Sequence, residues 1–344
     1  MGGYKVVYEY ANHLSRRGYQ ISFIHPATVY FDRPLKDQLK ALRYVPLRIS
    51  KGYRPDRWFK VDSKVKLLWA PSLHERHIPD ADIIVATAWQ TAEWIITYGR
   101  KKGKKVYFVH DYEHYMAADN ALKERIRRTF HCGLSIISTS PAGMAMVEES
   151  GGRITADIPN GVDFSIYRKS KKIEDPNRNM IGFPARNETF KGTHDAIQAL
   201  ASVKDCFPEI KVWAYGPKRV KGLPEWVRFY LRPSDRELSE MYNCTSIFVT
   251  ASHYEGWGLP GAEAMACGAA LVSTDHGGVR AYASNDETAL LSPIKRPDAL
   301  AENILALIRD NGRRIHLAQA GYEHIQQFTW DRAVNRFAAV IHEL

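Results

Sequence analysis

The sequence predicts an α/β protein built from two doubly wound parallel sheets. Short apolar stretches typical of buried strands alternate with stretches in which apolar residues recur at helical spacing. This alternation restarts after the polar segment Arg168–Asn179, which is the best linker candidate. The length of 344 residues also exceeds the roughly 250–300 residues at which single cores stop growing. We therefore expect two domains.

The first half of the chain contains the strand–helix–strand order of a parallel sheet. A helix is predicted from Val6 to Leu14, with Gly18 as its terminator, and the strand Ile21–Ile24 follows. Further along come, in order, a strand at 82–87, a helix at 90–100, a strand at 105–110, a helix that ends at Arg128 and a strand at 134–138. That order is typical of βαβ units.

The start of the chain departs from this pattern. Met1-Gly2-Gly3-Tyr4 leads directly into the first helix, without the basic and apolar regions of a signal peptide. A Gly-Gly turn that opens a helix is normally preceded by a strand, whose end presents the turn to an anion. Because that first strand is missing from the sequence, we expect either a truncated or mis-assigned start or an unusual edge of the first domain.

The second half repeats the alternation. Its predicted strands lie at 180–183, 210–214, 227–230, 246–250 and 270–273, and its helices at 193–205, 235–242, 261–267, 298–309 and 330–343. We assign residues 1–165 to a first Rossmann-like domain, 166–328 to a second, and 329–344 to a helix that packs back toward the first. Two facing domains of this kind would hold a ligand in the cleft between the carboxyl ends of their strands.

Composition excludes several classes of protein. With 45% apolar and 25% charged residues the chain is neither disordered nor fibrous, and no apolar run approaches the roughly 20 residues that span a bilayer. The four cysteines are widely spaced and form no C-x-x-C pair, which argues against a disulfide framework or a zinc ribbon. We therefore expect a cytoplasmic protein.

The most informative segment is Ser252–Gly268. A buried strand ends at Ala251, a glycine-rich loop carries Glu255, and Pro260 stands where the first helical residue is expected. The amides and dipole of that helix would point toward the loop. Glu263 follows Glu255 by eight positions, so one carboxylate can contact a sugar-sized group and the other a neighbouring diol. Two glutamates beside a glycine loop are also compatible with a purely structural role.

A second segment, Phe183–Gly192, carries two cations. Arg186 follows a predicted strand and Lys191 precedes a predicted helix, so both side chains can overhang the cleft. Cations beside a diphosphate have a large effect, because two unit charges 4 Å apart interact by about 4 kcal/mol at an effective dielectric constant of ~20. The alternative is a solvated basic loop.

These segments resemble family 4 of the retaining glycosyltransferases, which have the GT-B fold. The resemblance is carried by E-G-W-G-L-P-G-A-E at 255–263, R-x4-K-G at 186–192, I-P-N-G-V-D at 158–163 and the N-terminal Gly-Gly. It implies two facing Rossmann-like domains with an interdomain cleft. It also implies an enzyme that moves a hexose-type sugar from a nucleotide-diphosphate donor to an acceptor hydroxyl, in cell-surface glycan or glycolipid synthesis.

The resemblance also assigns roles to individual residues. Glu255 would contact hydroxyls of the donor sugar at the catalytic centre, and Glu263 would contact the nucleotide ribose. Arg186 and Lys191 would bind the diphosphate. Further contacts would come from the amides of Gly2 and Gly3 to the diphosphate, and from Gly256, Trp257, Gly258 and Leu259 to the sugar.

A histidine of the first domain joins these candidates. His110 ends a predicted strand, and the resemblance makes it a catalytic or positioning residue beside the transferring sugar. A lone histidine at a strand end is more often a packing or capping group. Asp111 and Glu113 are weaker candidates for the acceptor side. One departure from the family pattern is Ala281, which stands after Gly277-Gly278 where family members often carry a glutamate.

We expect no metal ion and no cofactor besides the nucleotide-sugar substrate. Arg186, Lys191 and the helix start near Gly261 could stabilise a departing diphosphate without a cation. The literal D-x-D at Asp80-Ala81-Asp82 precedes a strand rather than following one, which favours a structural turn over a metal site. Two histidine pairs lack an evident third ligand, His110 with His114 and His74 with His77.

Positive charge is concentrated in the first half. Residues 1–165 contain 25 Lys+Arg against 17 Asp+Glu, and residues 166–344 contain 23 against 21, so +8 of the net +10 lies in the first half. A basic stretch from 43 to 66 carries Arg43, Arg48, Lys51, Arg54, Arg57, Lys60, Lys64 and Lys66, with Tyr44, Tyr53, Trp58 and Phe59 among them. Anionic leaflets attract such segments by about 1 kcal/mol per cation.

The sequence therefore predicts a nucleotide-sugar donor, a glycan or lipid-linked acceptor, and a peripheral contact with the anionic inner face of a membrane. The charge is also compatible with mere solubility, and no nucleic-acid-binding module is recognisable. The alternative function is a non-catalytic sugar-nucleotide-binding protein. A dinucleotide oxidoreductase is disfavoured, because no G-x-G-x-x-G opens either half.

Overall fold

The computed structural model describes residues 2–26, 58–110 and 119–344 of the chain. The described residues fall into two compact units. The first comprises those within 1–139, 143–158 and 333–344, and the second comprises 140–142 and 159–332. Each unit contains parallel β-structure and helices, which confirms the predicted α/β class.

The first part of the chain alternates strands and helices. Its elements are α1 (Gly2–Arg16), β1 (Ser22–Pro26), β2 (Lys66–Ala70), β3 (Ile83–Ala86), α2 (Trp89–Ile96), β4 (Lys104–Val109), α3 (Asn120–Thr129), β5 (Ser135–Ser138), α4 (Pro141–Glu149) and β6 (Ile154–Asp157). Strands β3, β4, β5 and β6 pair side by side in chain order, all parallel, and β1 pairs with β2. The predicted strands at 82–87, 105–110 and 134–138 are confirmed.

Helix α1 buries one face through residues at helical spacing. Val6, Tyr10 and Leu14 are buried along that face, as the pattern predicts. The helix ends before Gly18, which adopts a left-handed conformation with φ of +93°, while the amide of Tyr19 donates to the carbonyl of Leu14. Gly2 and Gly3 are its first two helical residues, and not a turn before it as expected. Amides in a first helical turn have no acceptor within their own helix.

The second part of the chain forms one six-stranded, all-parallel sheet with helices. Its elements are β7 (Met180–Pro184), α5 (Thr193–Cys206), β8 (Lys211–Gly216), β9 (Val227–Leu231), α6 (Asp235–Asn243), β10 (Thr245–Thr250), α7 (Leu259–Ala266), β11 (Ala270–Thr274), β12 (Ala289–Ser292), α8 (Pro297–Arg309), α9 (Asn311–Ile325) and α10 (Trp330–Glu343). The strand order is β12-β11-β10-β7-β8-β9.

This strand order contains a topological switch point. From β7 the chain adds β8 and β9 on one side and then crosses over to add β10, β11 and β12 on the other. The loops that follow β7 and β10 therefore run in opposite directions and leave a crevice at the carboxyl edge of the sheet. Ligands bind in such crevices in open α/β sheets.

Burial on both faces explains why the middle residues of the central strands are apolar. In β10, Val249 packs on one face of the sheet and Phe248 on the other, and both are fully buried. Trp213 of β8 fills the space above Gly182 of β7, where an added Cβ would lie 2.4 Å from the indole. The sheet thus fixes the positions at which the loops after β7 and β10 begin.

The polar segment 168–179 is not a linker, contrary to expectation. It belongs to the second unit, and Arg178 within it is only 3% exposed. The Arg178 guanidinium donates to the carbonyls of Lys172 at 2.9 Å and Thr245 at 3.3 Å, and to that of Cys267 at 2.5 Å. Carbonyl groups take up the charge of this buried guanidinium, which anchors the segment to the second unit.

The last residues of α10 belong to the first unit. Phe337 and Phe108 pack against Tyr10 of α1, with ring centroids 5.3 Å and 5.1 Å from that of Tyr10. The hydroxyl of Tyr19 and Nε2 of His342 are hydrogen-bonded at 2.6 Å. Helix α10 therefore packs against helix α1.

Candidate active site

Two loops meet at the switch point of the six-stranded sheet. We call residues 185–192 after β7 the Lys191 loop, and residues 251–258 after β10 the Glu255 loop. The His253 amide donates to the Phe190 carbonyl at 2.7 Å, and His253 Nε2 donates to Oδ2 of Asp195 at 2.8 Å. The first bond ties the two loops together, and the second ties the Glu255 loop to helix α5.

The backbones of the two loops pack closely against each other at Gly192. This residue has a φ of +60°, and an added Cβ would lie 1.7 Å from the carbonyl oxygen of Ala251. A left-handed conformation and backbone contact together permit only glycine here. The K-G pair of the sequence motif therefore has a structural cause, since the glycine allows the lysine before it to reach the other loop.

Lys191 and Glu255 form an ion pair between the loops. Lys191 Nζ lies 2.8 Å from Oε2 of Glu255, and the Ser252 hydroxyl donates to Oε1 at 2.8 Å. The two charged side chains are 26% and 22% exposed, so a ligand can reach both. Burial is the largest single influence on the pKa of Glu255 and raises it. The combined effect of Lys191, His276 and the two hydrogen bonds is larger than that of burial and holds the pKa below its ordinary value. Glu255 is therefore ionised at neutral pH.

Arg186 lies at the start of the Lys191 loop. Its Nη1 donates to the carbonyls of Ala185 and Tyr215, each at 3.0 Å, and its guanidinium lies 5.2 Å from the centre of the Tyr215 ring. The backbone of Arg186 is held in turn by Thr193, whose hydroxyl donates to the Arg186 carbonyl and accepts from its amide. Because a guanidinium has five N–H donors, this anchoring leaves donors for an anion.

A third loop, residues 275–278 after β11, packs against the backbone of the Glu255 loop. Glu255 and Gly277 form an isolated parallel bridge. A Cβ on Gly278 would lie 2.4 Å from the Glu255 carbonyl and 2.7 Å from the Trp257 amide. The Gly-Gly turn noted in the sequence thus provides the close backbone contact on which the carboxylate-bearing loop rests.

The predicted sugar-binding residues continue the Glu255 loop into α7. Gly258 has a φ of +96° and caps the helix, and its carbonyl accepts from the hydroxyl of Tyr282 at 2.9 Å. Trp257 is only 2% exposed and packs its ring against Tyr282 and Phe328. Any contact of Trp257 with a sugar would therefore involve its backbone. The sugar contacts of Gly256, Trp257, Gly258 and Leu259 remain predictions.

Glu263, the predicted ribose ligand, lies in the second turn of α7. Helix α7 begins at Leu259, and the Glu263 side chain is only 6% exposed. The pKa of Tyr167 is raised mainly by burial and, second, by the negative charge of Glu263. This carboxylate therefore lies near a buried tyrosine of the second unit. Its contact with a ribose remains a prediction.

The remaining candidates belong to the first unit. His110 directly follows β4, with its ring centroid 4.4 Å from that of Phe108, and burial lowers its pKa to about 4. Neither of its ring nitrogens has a hydrogen-bond partner within the described residues. Gly3 has open space where a side chain would be. The acceptor-side candidates Asp111 and Glu113, and His114, lie outside the described residues.

The D-x-D sequence lies in a turn of the first unit. Asp80 pairs with Nζ of Lys102 at 2.7 Å, and the carbonyl of Asp82 accepts from the amide of Lys104 at the start of β4. Among residues 2–26, 58–110 and 119–344, no group of three or more His, Cys, Asp or Glu side chains is placed to hold a metal ion.

Three features of the site have no counterpart in the sequence prediction. They are the His253–Asp195 hydrogen bond, the Ser252 hydroxyl bound to Glu255, and the buried ring of His276 beside the ion pair. Ser252 and His253 stand directly before Glu255 in the sequence, and His276 directly precedes the Gly-Gly turn. Their neighbours on other loops appear only in the folded chain.

The residues of this site fall within a stretch that matches a known sequence family. Residues 165–324, which include both the Lys191 loop and the Glu255 loop, match the family described as glycosyl transferases group 1. Over these residues the chain is similar to that family. The match lies in the second unit, where R-x4-K-G and the two glutamates are found.

Curated glycosyltransferases show moderate similarity to this chain. D-inositol 3-phosphate glycosyltransferase of Corynebacterium urealyticum is 27% identical over 182 residues, which are 48% of this chain and 43% of the relative. The protein of the same name from Corynebacterium aurimucosum is 26% identical over 214 residues, which are 57% of this chain and 50% of the relative. The chain thus spans about half the length of these relatives.

Solved structures match almost the whole length of this chain. Sucrose-phosphate synthase from Thermosynechococcus elongatus has a TM-score of 0.72 at 17% identity, covering 98% of this chain and 92% of that one. Anabaena HepE in complex with UDP has a TM-score of 0.72 at 19% identity, covering 95% and 100%. These matches confirm the GT-B fold class.

Proposed function

We propose that the protein is a retaining glycosyltransferase that moves a hexose-type sugar from a nucleotide-diphosphate donor to an acceptor hydroxyl. The observation that carries the proposal is the Lys191–Glu255 ion pair at the switch point of a group 1 domain. A cation for a diphosphate and an ionised carboxylate for sugar hydroxyls lie 2.8 Å apart on two loops tied together by hydrogen bonds. That spacing suits the adjacent phosphate and sugar of one donor molecule.

The proposed reaction exchanges one bond at the anomeric carbon for another. The bond from that carbon to the donor phosphate breaks, and a bond to the acceptor oxygen forms on the same face of the sugar. A phosphate oxygen of the departing diphosphate takes the acceptor proton. Glu255 accepts hydrogen bonds from sugar hydroxyls, which holds the anomeric carbon in place while the bonds change.

Arg186 and Lys191 stabilise the departing diphosphate in this proposal. The bond cleavage places additional negative charge on the phosphate oxygens, and fixed cations beside them lower the energy of the transition state. Arg186 is anchored on two carbonyls and Lys191 is held by Glu255, so both cations are in place before the donor binds. We propose that this arrangement replaces a metal ion.

The replacement of Lys191 by Met tests the proposed donor site. UDP-, GDP-, ADP- and dTDP-sugars are screened by thermal shift, and the affinity of the best ligand is measured by calorimetry. We expect Lys191→Met to weaken that affinity about 10- to 100-fold, because a hydrogen bond to a charged group contributes about 1.5–3 kcal/mol. EDTA is expected to leave sugar transfer unchanged.

A matched control comes from the opposite edge of the same sheet. Lys211 begins β8, away from the carboxyl ends of the strands, and is exposed. Lys211→Met should bind the same ligand as tightly as the wild type. Equal binding by Lys191→Met would contradict the assignment, and binding without any transfer or donor hydrolysis would favour the non-catalytic alternative.

We further propose that the first unit touches an anionic membrane surface. Arg43 to Arg57 of the basic stretch lie outside the described residues. Arg100, Lys104 and Lys105 line a pocket of about 330 Å³ in the first unit, and Arg100 and Lys104 are exposed. Lys102 is instead paired with Asp80. In the described part of the chain, no helix is both long enough and apolar enough to cross a membrane.

Vesicle flotation tests the proposed membrane contact. We expect the protein to float with vesicles that contain 30% phosphatidylserine at low salt and to be released at about 0.5 M salt, where the Debye length is only a few ångströms. The double variant Arg100→Gln with Lys104→Gln should float less than the wild type. Sedimentation of the wild-type protein away from anionic vesicles at low salt would eliminate the proposal.

A further inference from the structure

His276 is a buried polar residue whose surroundings call for an explanation. It follows β11 and directly precedes the Gly277-Gly278 turn. The residue is only 2% exposed, and neither ring nitrogen has a hydrogen-bond partner in the described part of the chain. More than 90% of buried polar groups in native proteins are paired, and leaving one unpaired costs about 1–3 kcal/mol.

The imidazole packs against the Glu255 loop. An added Cβ on Gly258 of the Glu255 loop would lie 2.9 Å from Cε1 and 3.1 Å from Nε2 of His276. The charged groups that influence the ring are Glu255 and Lys191, followed by Asp275, which is itself paired with Arg280. Burial lowers the pKa of His276 to about 4, so the ring is neutral at pH 7 and has one N–H donor.

Both carboxylate oxygens of Glu255 already have donors in this structure. Ser252 donates to Oε1 and Lys191 to Oε2, each at 2.8 Å. If a diphosphate takes the Lys191 ammonium, Oε2 loses its charged donor inside a partly buried site. Near this loop, two described side chains have buried ring nitrogens without a hydrogen-bond partner, Trp257 and His276. The Trp257 ring is packed between Tyr282 and Phe328, whereas His276 directly precedes Gly277, which bridges to Glu255.

We infer that His276 is a positioning residue, which replaces Lys191 as the donor to the Glu255 carboxylate when a nucleotide diphosphate occupies the site. This inference rests on the proposed function. It explains why a polar ring is kept unpaired beside the ion pair, since the acceptor becomes available only in the donor-bound state. It also explains how the Glu255 carboxylate keeps its position for the sugar hydroxyls once the Lys191 ammonium binds the phosphates instead.

The test compares His276→Leu and His276→Asn with the control His316→Leu, an exposed position on α9. The probe is whichever of UDP, GDP, ADP and dTDP gives the wild type its largest thermal shift. His276→Leu should bind that diphosphate about 10- to 100-fold more weakly and lower kcat. Its ligand-free melting temperature should not fall, because an apolar side chain replaces an unpaired polar one. His276→Asn, which retains an N–H donor, should recover part of the affinity.

A double-mutant cycle separates a positioning role from a merely structural one. In a Glu255→Gln background, His276→Leu should change diphosphate affinity less than twofold, because the acceptor carboxylate is already gone. Wild-type affinity in His276→Leu, or an equal loss in both backgrounds, would overturn the inference alone. Failure of the wild type to bind any of the four diphosphates would overturn the proposed function, and this inference with it.

Discussion

Glu255→Gln is expected to reduce sugar transfer by about 10³-fold or more while leaving the fold intact. Glutamine keeps the size of the side chain and a carbonyl acceptor for Ser252, but it removes the negative charge that pairs with Lys191 at 2.8 Å. Preorganised charged groups at the reacting centre are among the largest contributors to catalysis, and the loss of one costs about 10²–10³ in rate. Loss of a fixed Lys191 adds to that effect.

The measurement is the initial rate of transfer from the nucleotide sugar that binds the wild type. Circular dichroism and thermal denaturation show whether the variant is folded. Glu302→Gln on α8 is the matched control, because its carboxylate is exposed on a helix away from the loops of the site. It should retain wild-type rates. A Glu255→Gln variant with more than a tenth of the wild-type rate would mean that the carboxylate is not central to the reaction.

The strands of the second unit could be predicted because they are buried on both faces. Such strands are continuous apolar runs bounded by polar or glycine-rich residues, and the expected strand at 246–250 matches β10 within one residue. The cations and Glu255 could be predicted for the same reason. Each stands between a recognisable strand and the helix that follows it, and parallel strands bring their carboxyl ends to one edge of the sheet.

Two elements of the second unit escaped prediction for local reasons. Strand β12 has only four residues and pairs on one side with β11, so its short apolar run gives little periodic signal. Helix α9 begins directly after α8 at Asn311-Gly312, a dipeptide typical of turns. The Asp310 side chain accepts from the amide of Arg313 and caps this helix, which overrides the local preference for a turn.

The site residues that escaped prediction depend on contacts between distant segments. His276 acquires its significance from Gly258, Glu255 and Lys191, which lie on two other loops. Packing also decides how Trp257 is placed. The sequence puts this aromatic residue in the predicted sugar-binding loop, and in the folded chain its ring is buried against Tyr282 and Phe328. The pattern of the motif identifies the loop, whereas packing decides which side chains face the ligand.

Gly192→Ala is expected to disrupt the site more severely than any other single-methyl change in the Lys191 loop. The new Cβ would lie 1.7 Å from the Ala251 carbonyl oxygen, so one loop must move away from the other. That movement would break the bond from the His253 amide to the Phe190 carbonyl and separate Lys191 from Glu255. We expect the free energy of unfolding of the second unit to fall by about 2–4 kcal/mol, with loss of nucleotide binding.

Gly222→Ala isolates the contribution of backbone conformation to this effect. Gly222 also has a positive φ, of +78°, but an added Cβ there meets no atom within 4 Å. Its substitution should cost only about 1 kcal/mol, which is the penalty of the left-handed conformation, and should leave nucleotide affinity unchanged. Thermal and urea denaturation of both variants provide the comparison. If the two substitutions destabilise equally and Gly192→Ala still binds the nucleotide, the loops do not depend on their contact at Ala251. A greater loss of stability and of nucleotide affinity in Gly192→Ala would instead show that the backbone contact at Ala251 brings Lys191 to Glu255.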